Sequence, residues 1–192
     1  MRPTTNLSKP SAVILSILSA VVLSAGICSC DNMTTYDVTM RDGTELATDV
    51  YNKPGAASTP TVVIRTPYGR EGNESTAQGL VDLGYSAVSQ DIRGTGESGG
   101  EFLMFRDDGW GLTQDGFDTV EWAAAGNWSN EEAGLWGGSA LAITSLLAAG
   151  AAPPSLKCAF TLAGTGDIFH HLAYQGGALR EELVVNWCVA LG

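Results

Sequence analysis

The sequence predicts an α/β fold built on a mostly parallel sheet with an antiparallel hairpin at its N-terminal edge. Three observations carry this. Strand-like and helix-like segments alternate along the chain, the later strands are apolar throughout, and only the first two strands are joined by a hairpin turn. Thr34–Met40 (TTYDVTM) and Thr44–Asn52 (TELATDVYN) read as the paired strands, with Arg41-Asp42-Gly43 supplying an Asp-Gly turn between them. Thr59–Thr66 (TPTVVIRT) is a short apolar strand bounded by prolines. Ser75–Leu83 reads as a helix closed by Gly84, and Tyr85–Gln90 as the next strand. Asp115–Ala125 has apolar residues at helical spacing, with Gly126 beyond its end. Ala133–Gly137 is a strand that runs directly into a helix over Ala140–Gly150, which Pro153-Pro154 terminates. Leu156–Gly164 reads as a buried strand, and Arg180–Leu191 as a helix.

At 192 residues the chain has the size of one domain, and 44% hydrophobic residues suffice for a core. The formal net charge is −11. Two of the ten basic residues, Arg2 and Lys9, precede the first acid, Asp31, so the remainder is still more acidic. Such a surface repels phosphate backbones, which argues against nucleic acid as a partner. Nothing has metal-ligand spacing; His170 and His171 are adjacent, without a matching Cys, His or acidic cluster, and no cofactor or metal is expected.

Residues 1–29 read as a signal peptide. Arg2 and Lys9 precede the uncharged apolar run Ser11–Ile27, and Ile27-Cys28-Ser29-Cys30 follows. Small residues before a cysteine at this place resemble a bacterial lipoprotein box, with Cys30 as the lipidation site and the membrane as partner through that anchor. Ordinary cleavage and an uncleaved anchor are the alternatives, and all three place the rest of the chain, residues 30–192, outside the cytoplasm. Cys158 and Cys188 lie in apolar segments and read as buried small hydrophobes rather than a disulfide.

Gly94-Thr95-Gly96-Glu97-Ser98-Gly99 matches the G-x-G-x-x-G pattern of dinucleotide sites. That fingerprint needs a helix straight after the glycines to meet the pyrophosphate, whereas Glu101–Thr113 has no helical period. The glycines read instead as a tight loop at the carboxyl edge of the sheet, pinned by Asp91 and Arg93. The chemistry-bearing stretch is Gly134–Ile143 (GLWGGSALAI). An apolar strand, a Gly137-Gly138-Ser139 turn and an immediate helix form the layout of a nucleophile elbow, which lifts a serine hydroxyl to a helix N-terminus. Leu141 stands where the second glycine of G-x-S-x-G belongs, and Ala142 is the nearest small residue. A serine so placed is also an ordinary helix N-cap.

The segments MRDGTELATDVY, VVIRTPYGR, GYSAVSQDIRGTGESGGEF, DGFDTVEWAAAGNWSNEEAGLWGGSA and LAYQGGALREELV together resemble the CocE/NonD family of serine hydrolases. That family spans cocaine-esterase-like, α-amino-acid ester hydrolase, glutaryl acylase and Xaa-Pro dipeptidyl-peptidase-like enzymes. The likeness runs from about Tyr36 to the last residue. It implies an α/β-hydrolase fold and hydrolysis of small ester or peptide substrates through an acyl-enzyme. It implies Ser139 as nucleophile, and Tyr68 of Thr66-Pro67-Tyr68 and the backbone N–H of Ala140 as oxyanion-hole donors. Ala140 and Ala142 depart from the family, which usually has an aromatic residue and a glycine there. Trp110, Trp122, Trp128 and Trp136 read as packing residues.

Such a fold supplies its acid and base after the serine. Asp167 and His170 have the right order and could pair on one turn, but one short segment would then have to bring the imidazole to a serine on another strand. The family places both groups much later. The chain is therefore expected to be the N-terminal part of the domain, ending before the last strands and inactive alone, with acid and base beyond Gly192. A non-catalytic envelope lipoprotein using the scaffold for binding is the rival reading. Oligomeric state is not legible.

Overall fold

The computed structural model describes residues 32–55 and 57–191; the expected signal segment and Cys30 lie outside the described residues. Six strands form one sheet: β1 (Met33–Thr39), β2 (Glu45–Tyr51), β3 (Thr59–Thr66), β4 (Ser86–Asp91), β5 (Ser129–Gly138) and β6 (Leu156–Leu162), in the order β1-β2-β4-β3-β5-β6. The β1–β2 and β2–β4 pairings are antiparallel; β4–β3, β3–β5 and β5–β6 are parallel. The expected hairpin is thus the antiparallel margin of an otherwise parallel sheet. At its turn Gly43 takes φ 87°, the left-handed conformation that glycine tolerates, and Thr44 N–H donates to Asp42 Oδ1 at 3.0 Å.

Among the described residues, four α-helices complete the fold: α1 (Glu74–Asp82), α2 (Asp115–Ala125), α3 (Ala140–Gly150) and α4 (Glu181–Leu191). The period-2 alternation of the strands sorts the core onto two faces. Val50, Val63, Val88 and Leu135 pack against Val120, Ala123 and Ala148 of α2 and α3. Tyr51 and Ala87, one residue out of phase, pack against Ala77 and Val81 of α1. The chain therefore leaves β3 through α1 towards β4, then crosses back through α2 on the opposite face to β5. The carboxyl ends of β3 and β5, adjacent in the sheet, flank the point where the strand order reverses. Ligands of open α/β sheets bind at such a point.

Three expectations fail against the fold. Leu156–Gly164 was expected to be a buried strand, yet among the described residues β6 pairs with β5 alone and lies at the sheet's edge, so Phe160 and Leu162 are 62% and 65% exposed. Cys158 on β6 and Cys188 on α4 are both exposed free thiols rather than buried hydrophobes, because the elements carrying them are largely solvated. Trp110 is 60% exposed on the loop before α2 and packs nothing into the core. Trp122 and Trp128 do pack, with ring centroids 5.5 Å apart and Tyr36 against both. Trp136 is half-buried.

Candidate active site

The loop between β4 and α2 answers what its glycines do. A Cβ on Gly96 would overlap the Asp91 carboxylate, one on Gly94 the backbone of Phe102, and one on Gly100 the Arg93 side chain. The absent side chains let the loop close around two ionic centres. Arg70 engages Asp49 at 3.1 Å, Asp91 at 2.9 Å and Glu97 at 2.6 Å, while its own N–H donates to Asp91 Oδ1 at 2.6 Å. Burial opposes the charge on Arg70, but the hydrogen bonds to Glu97 and Asp91 and the ion pair with Asp49 together hold its pKa above the ordinary value. Arg93 bridges Asp115 at 2.7 Å and Asp42 at 2.8 Å. Asp115, which lies at the spacing of a ribose-binding acid, is thereby committed to a loop clamp. Arg93, with help from the Thr44 N–H, holds the Asp42 carboxyl down at about 2.

This clamp fixes the segment after β3. Ile92 N–H donates to the Thr66 carbonyl at 3.0 Å, and Tyr68 N–H donates to Thr66 Oγ1 at 3.0 Å. The Tyr68 ring then projects from the carboxyl end of the sheet, 55% exposed. Beneath it, Arg65 is buried and donates to Gln90 Oε1 at 2.8 Å and to Asp108. Burial pushes the Asp108 carboxyl up, and Arg65 counteracts this.

At the neighbouring strand end, β5 passes into α3 through Ser139, whose backbone sits at φ 55°, ψ −120°. This is a sparsely populated region for a residue with a side chain, and surrounding structure must hold it. Ser139 N–H donates to the Leu162 carbonyl of β6 at 2.9 Å, and its carbonyl accepts from Ala142 N–H at 3.0 Å. A Cβ on Gly137 would overlap the Leu141 carbonyl, so glycine is required two residues before the serine. A Cβ on Gly164 would overlap Ala142, so after the serine the side chain in close approach is that of Ala142, while Leu141 approaches Gly137 through its backbone. The elbow thus shifts its small-residue contact by one position relative to G-x-S-x-G. Ala140, first residue of α3, is fully buried, and its N–H has no acceptor within the helix.

Ser139 is exposed, and among the described residues its hydroxyl has no hydrogen-bond partner. Ser139 and Tyr68 line one cavity of about 790 Å³ together with Ile143, Ala163, Arg180 and Trp187. A hydroxyl at a helix N-terminus, sharing a cavity with a phenol and next to a first-turn N–H, is an arrangement that can serve acyl transfer, the hydroxyl as nucleophile and the other two as oxyanion donors. Asp167 and His170 do pair, His170 Nδ1 to Asp167 Oδ2 at 2.8 Å, with the His170 N–H also donating to Asp167 Oδ1 at 2.9 Å. The backbone bond first, then the ring, keeps the Asp167 carboxyl below its ordinary value. Neither residue lines the cavity, and the imidazole is 72% exposed. Glu181 and Glu182 do line it, from the first turn of α4. Trp187 and Arg180 went unnoticed as site residues in the sequence, where they read as part of an apolar helix and its start.

The strand–elbow–helix unit at the switch point of a parallel sheet makes this an α/β-hydrolase fold. The chain belongs to the X-Pro dipeptidyl-peptidase (S15) family, whose model matches residues 42–191. It is 31% identical over 162 residues to the cocaine esterase of Rhodococcus sp. (strain MB1 Bresler), covering 81% of this chain and 28% of that one. Among solved structures, an α-amino acid ester hydrolase matches with TM-score 0.61 and 26% identity over 73% of this chain and 27% of that one. An aminopeptidase from a marine sediment Thaumarchaeota archaeon has the same fold, with TM-score 0.65 and 24% identity over 83% of this chain and 30% of that one. A CocE/NonD family hydrolase from Staphylococcus aureus gives TM-score 0.62 and 24% identity over 75% and 29% of the two chains. The chain spans less than a third of the length of these relatives.

Proposed function

We propose that this chain carries the nucleophile and oxyanion hole of a serine hydrolase that acts on small ester or amide substrates, in the manner of cocaine esterase, amino-acid ester hydrolases or X-Pro dipeptidyl-peptidases. Ser139 is the nucleophile, and the Tyr68 hydroxyl and the Ala140 N–H receive the oxyanion of the tetrahedral intermediate. In acylation Ser139 Oγ bonds to the substrate carbonyl carbon, its proton passes to a base, and the alcohol or amine leaves with a proton. Water then reverses the sequence and releases the acid. The single observation that carries this is the strained Ser139 backbone at the end of β5, with the side chain opening into the same cavity as Tyr68.

The base is the open member. Among the described residues His170 and His171 are the only imidazoles, and neither lines the cavity, so the reading assigns acid and base to residues outside 32–191. We take the chain to be exported on the predicted signal segment and lipidated at Cys30, so that it acts in the cell envelope. The test is hydrolysis of p-nitrophenyl esters and X-Pro p-nitroanilides by the complete protein. Turnover that falls about 10⁴-fold or more in Ser139→Ala supports the hydrolase; turnover unchanged by that substitution removes Ser139 from the chemistry.

A further inference from the structure

Tyr68 reaches the cavity at the end of a loop, half exposed, and a phenol on a loop swings about its own bonds. What fixes its hydroxyl comes from an element 119 residues away: Trp187 Nε1 on α4 donates to Tyr68 Oη at 2.9 Å. The direction of this bond is unambiguous, because an indole N–H can only donate. Tyr68 is therefore the acceptor, and its own proton is not used in the contact. Among the described residues that proton has no other acceptor, and the ring lines the cavity it shares with Ser139.

Trp187 is itself held. Its ring lies 5.5 Å from that of Phe105, centroid to centroid. Phe105 is 3% exposed and packs with Ala140, Ile143 and Leu147, the cluster against which Trp187 also rests. Phe105 adopts φ 56°, a left-handed conformation that a bulky side chain takes only when its surroundings impose it. A continuous contact path thus runs from Ala140, whose N–H heads α3, through Phe105 and Trp187 to the Tyr68 hydroxyl. It joins the two groups assigned to the oxyanion hole, which otherwise sit on separate strand ends. On α4, Val184 and Trp187 are the only described side chains that are not exposed, so the seat of the helix and the tether to Tyr68 are largely the same residue.

We propose that Trp187 is a positioning residue for the oxyanion hole. Its N–H occupies a lone pair of Tyr68 Oη, turns the phenolic proton towards the space above Ser139, and polarises the O–H so that it donates more strongly as negative charge develops. The inference rests on the assignment of Tyr68 above. It separates Trp187 from a mere wall of the cavity, because the effect belongs to one N–H and acts through one hydroxyl.

The experiment is a kinetic double-mutant cycle in the complete protein on one p-nitrophenyl ester. Trp187→Phe is expected to lower kcat about five- to tenfold, the value of one hydrogen bond, with KM changed less than about twofold. In a Tyr68→Phe background, where no hydroxyl remains to be aimed, the same substitution is expected to change kcat less than about twofold. Replacing Trp187 with 3-benzothienylalanine keeps the bicyclic ring and exchanges the N–H for sulfur; its kcat is expected to match Trp187→Phe while Tm stays native. Native kcat with benzothienylalanine, or equal losses from Trp187→Phe in both backgrounds, overturns the proposal while leaving the Tyr68 assignment standing. A Tyr68→Phe protein with native kcat overturns the proposal and the assignment together.

Discussion

The two sides of the candidate site are held by opposite means. On the Tyr68 side, the loops after β3 and β4 are drawn onto Arg70 and Arg93, and the acids they meet, Asp49, Asp91 and Asp115, are almost wholly buried. On the Ser139 side, β6 and α4 expose Phe160, Leu162, Val185 and Val189; the backbone ladder to β5 holds β6, and an apolar seat with the Trp187–Tyr68 bond holds α4. The first region resists change because each buried carboxylate depends on a cation that has no substitute. The second tolerates change because its side chains already lie in water. Tyr68 belongs to the first region and is tethered by Trp187 of the second, so the site lies on the boundary between a rigid margin and a lightly attached one.

The contrast breaks most visibly at Arg70. Arg70→Met leaves Asp49 and the fully buried Asp91 without their cation and is expected to cost about 3–5 kcal/mol, read as the shift in urea midpoint at constant m. Tyr68→Phe keeps the fold and is expected to lower kcat about 10²–10³-fold with little change in KM, as loss of one oxyanion donor does; a steady-state comparison on one ester checks it. Gly96→Ala drives a Cβ into the Asp91 carboxylate from a backbone at φ 54° and is expected to cost about 2 kcal/mol in thermal denaturation.

The smallest effect is one of pH. Asp42 is held at about 2 against an ordinary 3.8, so the folded state keeps its carboxylate where the unfolded chain binds a proton. The clamp to Arg93 is therefore fully present above about pH 4 and fades as pH falls towards 2. Because Asp42 is partly exposed, its share stays under about 1 kcal/mol. Asp42→Asn is expected to flatten the dependence of stability between pH 5 and 2 by that amount, and urea melts at both values measure it.

How much of this the sequence disclosed differs between the same two regions. β3, α2 and α3 occupy the residues their patterns predict, since each pairs a clear period with a glycine, proline or small-residue boundary. The glycine loop was legible as a loop because no helix follows it, although which acid each glycine accommodates is a matter of three-dimensional approach. Ser139 was named from the local strand-turn-helix pattern and Tyr68 only through the family resemblance, and the topology brings their strand ends together. The open side read poorly. Leu156–Leu162 has the composition of an interior strand, but burial depends on what packs beside it, which no local pattern encodes. Asp167 and His170 pair as one helical turn allows, yet distance from the cavity decides their relevance. Trp187 gave no signal, because a tryptophan in an apolar helix reads as packing until its N–H is seen to meet a hydroxyl far along the chain.

The central claim is that Ser139 is an activated nucleophile in an oxyanion site. Treating the complete protein with a fluorophosphonate, digesting it and mapping the adduct by mass spectrometry tests this most directly. The account predicts a single stoichiometric adduct on Ser139 that forms at least about tenfold more slowly in Tyr68→Phe; an unmodified Ser139, or an adduct on another residue, contradicts it.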